Sequence, residues 1–227
     1  MENKIIVDNL KKVIEEIKDG NNLGEEIVLV GATKMVDADT INLATKNGLK
    51  IVAENKVQEF REKTDLIKDA DQHFIGHLQT NKVKYLVGKV SLIQSVDSIH
   101  LAEEIDKCAI KKGVVQDFLI EVNVGGELSK SGFNPENALD SKRELKKLKN
   151  VRCVGFMGML PKSDNEEYLV NLCKVMRDIF EQAKKEDSDI KYLSMGMSGD
   201  YKLTINNGSN MIRLGSTIFG KRNYEVK

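Results

Sequence analysis

Residues 117–124 read DFLIEVNV, and the alternation within this stretch separates two folds. Phe118, Ile120, Val122 and Val124 share one face of an extended chain, while Leu119, Glu121 and Asn123 share the other. A strand covered by helices on both sides of an open parallel sheet should be apolar on both faces. A polar inner face suits instead a closed barrel whose interior lines a site. An edge strand is the alternative that this stretch alone leaves standing.

Working outward, seven further apolar segments have strand character: 27–33, 50–53, 72–75, 90–94, 152–159, 192–195 and 211–214. Helical periodicity lies between them, near 37–47, 55–68, 80–88, 98–112, 135–148, 164–186 and 200–207. In 98–112, for example, Ile99, Ala102, Ile105 and Ala109 recur at helical spacing, Asp97 can cap the start, and Gly113 can end it. Residues 1–18 form an extra amphipathic helix through Ile6, Leu10, Val13, Ile14 and Ile17. Each helix serves as the crossover between parallel strands. The expected fold is therefore α/β: a single (β/α)8 TIM-type barrel with an added N-terminal helix, over one domain of residues 1–227.

The length of 227 residues accommodates one such barrel. Acidic and basic residues balance at 35 each, so no global charge draws the chain to nucleic acid or to a membrane surface. The first twenty residues carry charges throughout, unlike a secretory leader, and no apolar run is long enough to span a bilayer. Cys108, Cys153 and Cys173 are widely spaced, without a metal-ligand pattern. They are expected as buried free thiols, which suits a reduced cytoplasm.

The first strand ends in VLVGATKM, which places Lys34 at the carboxyl edge of the barrel, where barrel enzymes keep their chemistry. An amine there loses solvation and becomes better able to attack an aldehyde. A surface lysine ending a strand is the alternative. Two later loops favour the first reading. SMGMSGD supplies Ser198 and a helix start near Asp200, and MIRLGSTIFG supplies Gly215, Ser216 and Thr217 before a short helical turn. Loops after strands 7 and 8, with backbone N–H groups at a short helix, form the usual phosphate site of this barrel. Arg213, following Met211 and Ile212 on the last strand, is expected to point inward. An amine, an anion cup and a guanidinium together suit a phosphorylated aldehyde.

Other candidates are weaker. Asn55 and Lys56 follow the second strand, with Gln58 and Glu59 on the next helix. His77 and Gln79 follow the third, and Lys130 lies in the SKSG loop after the fifth. His73 reads as a strand residue and His100 as a helix-surface residue. Dispersed acids and histidines form no metal site, and the mixed charges of 142–149 read as a helix face.

Taken in order, GATK, AENKVQE, HFIGHLQTNK, SKSG, GFMGMLP, SMGMSGD and MIRLGSTIFG resemble the pyridoxal phosphate homeostasis protein family. That family is similar in turn to the amino-terminal barrel of alanine racemase, the fold type III arrangement. The likeness runs from about residue 27 to Tyr224. It implies pyridoxal 5′-phosphate (PLP) held on Lys34 as an internal aldimine, with Ser198, Gly215 and Ser216 on the phosphate. It further implies Arg213 near the pyridine nitrogen and Asn55 near the ring. VAEN stands where the family usually has FGEN, Ser216 where threonine is common, and Gly199 at an often acidic position.

The same resemblance implies a carrier. A charged arginine beside the pyridine nitrogen disfavours its protonation and weakens the ring as an electron sink. Alanine racemase uses a similar arginine but takes its second base, a tyrosine, from a carboxy-terminal β-domain, for which this chain leaves no room. The expected role is buffering or delivery of PLP by a cytoplasmic monomer, with apo PLP-dependent enzymes as recipients and Lys130 taking part in transfer. A small racemase using a base from His77 or a neighbouring loop is the alternative. A Schiff-base aldolase acting on a sugar phosphate is a third, which leaves the family motifs unexplained.

Overall fold

The computed structural model describes residues 2–127 and 130–220; Ser129, the first residue of the SKSG stretch, and Tyr224 lie outside them. Eight parallel strands close into a barrel in sequence order. They are β1 (Val28–Ala32), β2 (Ile51–Glu54), β3 (Asp71–Phe74), β4 (Leu92–Val96), β5 (Gln116–Val122), β6 (Val151–Gly158), β7 (Tyr192–Ser194) and β8 (Met211–Leu214). Closure is made by β8 against β1, with Val30 opposite Arg213. That pairing removes both edges, so the edge-strand reading of 117–124 falls away. The polar face of β5 is an interior face.

The helices are α1 (Glu2–Ile17), α2 (Ala38–Lys46), α3 (Val57–Lys63), α4 (Ile99–Lys112), α5 (Ala138–Leu145), α6 (Glu166–Glu186), α7 (Tyr201–Ile205) and α8 (Ser216–Phe219). Two stretches expected to be α-helical are shaped differently. Thr80–Tyr85 winds as a 3-10 helix, and 135–148 opens with a 3-10 turn at Pro135–Asn137 before α5. Proline lacks the N–H that a regular helix interior would use, so it sits at the first position of that turn. The cap of α4 is Ser98, whose hydroxyl accepts from Leu101 N, rather than Asp97. Asp97 is thereby left to face the barrel mouth.

Two layers of core follow from the period-2 pattern. Val30, Ala53, Leu92, Leu119, Val154, Met157 and Met211 pack inside the barrel and form its floor. The opposite phase, including Phe74, Ile93, Phe118, Ile120 and Phe156, packs against the helices. Register shifts between β5 and β6 at Phe118/Leu119, where Gly155 adopts φ +152. A Cβ there would lie 1.9 Å from Tyr192 O, so only glycine admits this bulge. Helix α1 covers the end of the barrel sequence: Leu10 and Val13 join Ile212, Leu214 and Ile218, and Tyr201 Oη donates to Glu16 Oε2 at 2.6 Å. It thus braces the two short helices whose loops carry Ser198 and Gly215.

Candidate functional site

At the carboxyl ends of the strands lies a cavity of about 320 Å³, within the size range of small-molecule sites. Lys34, Asn55 and Arg213, far apart in sequence, all line it. Ala32, Ile75 and Met159 supply apolar wall, and Glu121, His77 and Lys130 complete its polar rim. Ser198, Gly215 and Ser216 lie outside this lining, immediately past Met197, which belongs to it, and past Arg213 and Leu214 on β8. There the Ser198 hydroxyl oxygen accepts from the backbone N–H groups of Gly215 (3.3 Å) and Thr217 (3.2 Å). Two donors and a hydroxyl already converge on one point at the start of α8. Thr217 N, which the sequence did not single out as a donor, joins Gly215 N at this point.

The backbone that presents Lys34 is held from outside the barrel. Thr33 Oγ1 donates to Glu54 Oε1 at 2.8 Å, and Lys63 Nζ donates to Glu54 Oε1 and Glu59 Oε2 at 2.9 Å each and to Thr33 O at 3.2 Å. Met35 N donates to Glu59 Oε2 at 2.7 Å, which supports Met35 at φ +59, an uncommon conformation for a non-glycine residue. Burial raises the Glu54 carboxyl against the pull of Lys63 and Thr33. Gly76 lets the segment just past β3 approach the one just past β2 closely: a Cβ there would fall 2.0 Å from Asn55 O. Asn55 Oδ1 is buried and has no hydrogen-bond donor.

Below the cavity, Arg213 is 4% exposed and is clamped by Ser194 O (2.9 Å), Ser194 Oγ (2.5 Å) and Gly158 O (3.1 Å). A guanidinium can only donate, so the directions of the whole chain of hydrogen bonds are set from this end. Ser194 Oγ accepts from Arg213 and passes its own proton to Gln94 Oε1 at 2.8 Å. The Gln94 amide nitrogen therefore faces His73 Nδ1 at 2.9 Å, which must accept. His73 is neutral with its proton on Nε2, in keeping with burial that pushes it down to about 3. Burial also lowers Arg213 to about 10, where it remains a cation at neutral pH.

Glu121 stands in the same cavity, 6% exposed, and is pushed up to about 7, chiefly by burial and then by Asp97, with Arg213 opposing. Asp97 Oδ2 in turn lies 3.1 Å from His77 Nδ1. Asn123, immediately past β5, donates to Glu127 O (2.9 Å) and Lys130 O (3.2 Å) and so ties the Lys130 segment to the barrel. Sequence reasoning placed Glu121 on the inner face without counting it among the site residues. It also passed over Gln94, Ser194 and Asp97. The available signal was phase: Gln94 shares its face of β4 with Leu92, and Ser194 that of β7 with Tyr192, so both are polar residues among inward positions.

The three cysteines are free; Cys108 and Cys173 are buried as expected, whereas Cys153 is only half-buried. Burial pushes the thiols of Cys153 and Cys173 up to about 12 and about 11, which makes them inert at neutral pH. No helix among the described residues is long and apolar enough to cross a membrane.

Residues 7–223 match the family described as "Alanine racemase, N-terminal domain". The chain is 41% identical over 222 residues to a "Pyridoxal phosphate homeostasis protein" of Aquifex aeolicus, covering 96% of each chain. Its fold superposes on PipY of Synechococcus elongatus solved with PLP bound, with a TM-score of 0.80, 28% identity, and 95% of this chain and 100% of that one covered. It also superposes on an alanine racemase of Clostridium difficile in complex with cycloserine, with a TM-score of 0.74 and 18% identity. There 99% of this chain covers 60% of the racemase, a likeness of fold. With nearly its whole length in register with such a relative, the chain belongs to the pyridoxal phosphate homeostasis protein family and is built on the alanine racemase N-terminal-domain barrel.

Proposed function

We propose that the chain binds PLP covalently through the Lys34 amine and acts as a cytoplasmic store or donor of the cofactor, without catalytic turnover. One observation carries this: Lys34, Asn55 and Arg213 converge on a single cavity of about 320 Å³, and the paired N–H groups of Gly215 and Thr217 follow Arg213 in the chain just past that lining. The PLP that the PipY structure contains, on the same fold, supports the choice of ligand.

The residues present fit the group. Asn55 Oδ1 is a buried acceptor still lacking a donor, so its amide can turn to meet a ring substituent. The donors now directed at Ser198 Oγ, together with the hydroxyls of Ser198 and Ser216, match the oxygens of a phosphate. When bound, PLP supplies an aldehyde carbon that captures an amine reversibly. The chain's part is positioning. Lys63 and Glu59 hold the segment that carries Lys34, α8 holds the anionic end, and Ser194 and Gly158 hold Arg213.

Arg213 is in keeping with carriage, although alanine racemase works with a similar arginine and the residue alone does not separate the two roles. It has no neutral form at physiological pH and donates only, so it keeps a pyridine nitrogen facing it unprotonated. The electron sink needed for carbanion chemistry is then weak. Free thiols, two of the three buried, agree with a reducing compartment.

Borohydride reduction followed by peptide mass spectrometry should place a pyridoxyl group on Lys34. An unmodified Lys34 in a PLP-saturated sample would sink the proposal. Incubation with D- and L-amino acids should give no turnover above that of free PLP, and substantial racemisation would reinstate catalysis. Transfer to an apo PLP-dependent enzyme faster than free dissociation would identify a donor, and transfer at the dissociation rate a store.

A further inference from the structure

Beside the cofactor cavity the barrel mouth opens into a second, larger one of about 650 Å³, between α3 and the 3-10 helix Thr80–Tyr85. The two share Asn55 and His77 as a common wall. Its charge is lopsided. Lys56, Arg61 and Lys82 line it against one carboxylate, Glu62, in a chain whose charges otherwise balance. Among the described residues none of these three cations has a salt-bridge partner, whereas Lys63, on the other side of α3, is held by two carboxylates.

Two of these cations, Arg61 and Lys82, also gather around one ring together with Lys84, which lies outside the cavity lining. The Arg61 guanidinium lies 4.4 Å from the centroid of Tyr85, with the ammonium groups of Lys84 at 5.2 Å and Lys82 at 6.0 Å. Stacking uses the face of a guanidinium and leaves its N–H edge directed outward, the geometry that grips a phosphate or carboxylate in two places. Three like charges so close repel one another, and a multiply charged anion would relieve that repulsion. The lining carries a net charge near +2, which matches the roughly −1.5 to −2 of a phosphomonoester better than a carboxylate.

We propose that this basic cavity is a second binding site for a phosphomonoester, filled while the first cavity is also occupied. Neither Lys34 nor Arg213 lines it, so it does not compete for the amine and the guanidinium of the first cavity. The shared wall at Asn55 and His77 places such a ligand next to the cofactor cavity, where an incoming vitamer phosphate would dock before exchange.

The test is calorimetric titration of PLP-loaded, borohydride-reduced protein with inorganic phosphate and with pyridoxine 5′-phosphate, which has no aldehyde. One further equivalent should bind, with affinity falling steeply as salt rises. The double variant Arg61→Gln, Lys82→Gln should weaken it roughly tenfold or more, since two charge-assisted contacts are removed, while loading of Lys34 stays intact. Circular dichroism melts report whether these exposed substitutions leave the fold unchanged. Labelling of Lys34 is scored separately, and if it fails the same titration on unreduced protein isolates the part of phosphate binding that the double variant loses. Tighter binding of pyridoxine 5′-phosphate than of inorganic phosphate identifies a vitamer, and equal binding identifies free phosphate. Either supports the site. No additional binding, binding untouched by the double variant, or acetate matching phosphate overturns it.

Discussion

Replacing Glu121 with glutamine should remove a pH dependence from the stability of the PLP-free protein. Its carboxyl is moved from an ordinary 4.5 to about 7, first by burial and then by Asp97, with Arg213 pulling the other way. Lys34, Lys130 and His77 border the same cavity. A carboxyl that holds its proton more tightly in the folded chain favours folding at low pH. Its contribution is therefore full below 4.5 and is lost as pH rises through about 7. The displacement corresponds to about 3 kcal/mol in all, of which about 2.5 kcal/mol falls between pH 5 and pH 8. Glutamine keeps the shape and does not titrate. Urea unfolding of both proteins across that range should show the variant gaining on the parent by about 2 kcal/mol or more as pH rises. A parallel pair of stability curves would refute the placement of an ionising carboxyl beside Arg213 and Asp97.

Three further outcomes follow from named contacts. Ser198→Ala removes the oxygen on which Gly215 N and Thr217 N converge, and PLP affinity measured by absorbance titration should fall about tenfold; unchanged affinity would separate this loop from the phosphate. Lys63→Met strips Glu54 and Glu59 of their shared cation and should cost about 3 kcal/mol at pH 8 by urea unfolding. That loss should shrink towards pH 5 as Glu54, already raised by burial, takes up a proton, and an equal loss at both pH values would count against it. Gly76→Ala drives a methyl group into Asn55 O and should cost about 1–3 kcal/mol while weakening PLP binding; a neutral result would mean that the segment just past β3 yields freely at this point.

Strand and helix order, the extra helix α1 and the position of Lys34 at a strand end were legible because they depend on local pattern. Apolar residues recur at period 2 or 3.6 wherever an element buries one face, whatever it is buried against. Even the interior phase of β5 could be read from DFLIEVNV. The two 3-10 stretches were not, since their apolar spacing differs little from that of an α-helix over six residues.

The site residues divide in the same way. Lys34, Asn55, Arg213, Ser198, Gly215 and Ser216 stood out through motifs, because each motif keeps its residues close in sequence. The chain Arg213–Ser194–Gln94–His73 joins three other strands to β8 through partners 19 to 140 residues from Arg213, and no local pattern encodes such a set. By itself the sequence determined which residues face inward and which chemistry they could bring. Only closure of β8 on β1 decided which inward residues meet. Burial then decided that Glu121 holds its proton to about pH 7, that His73 stays neutral, and that Arg213 remains a clamped cation beneath the cavity, because the cost of charge depends on surroundings that assemble only in the folded barrel.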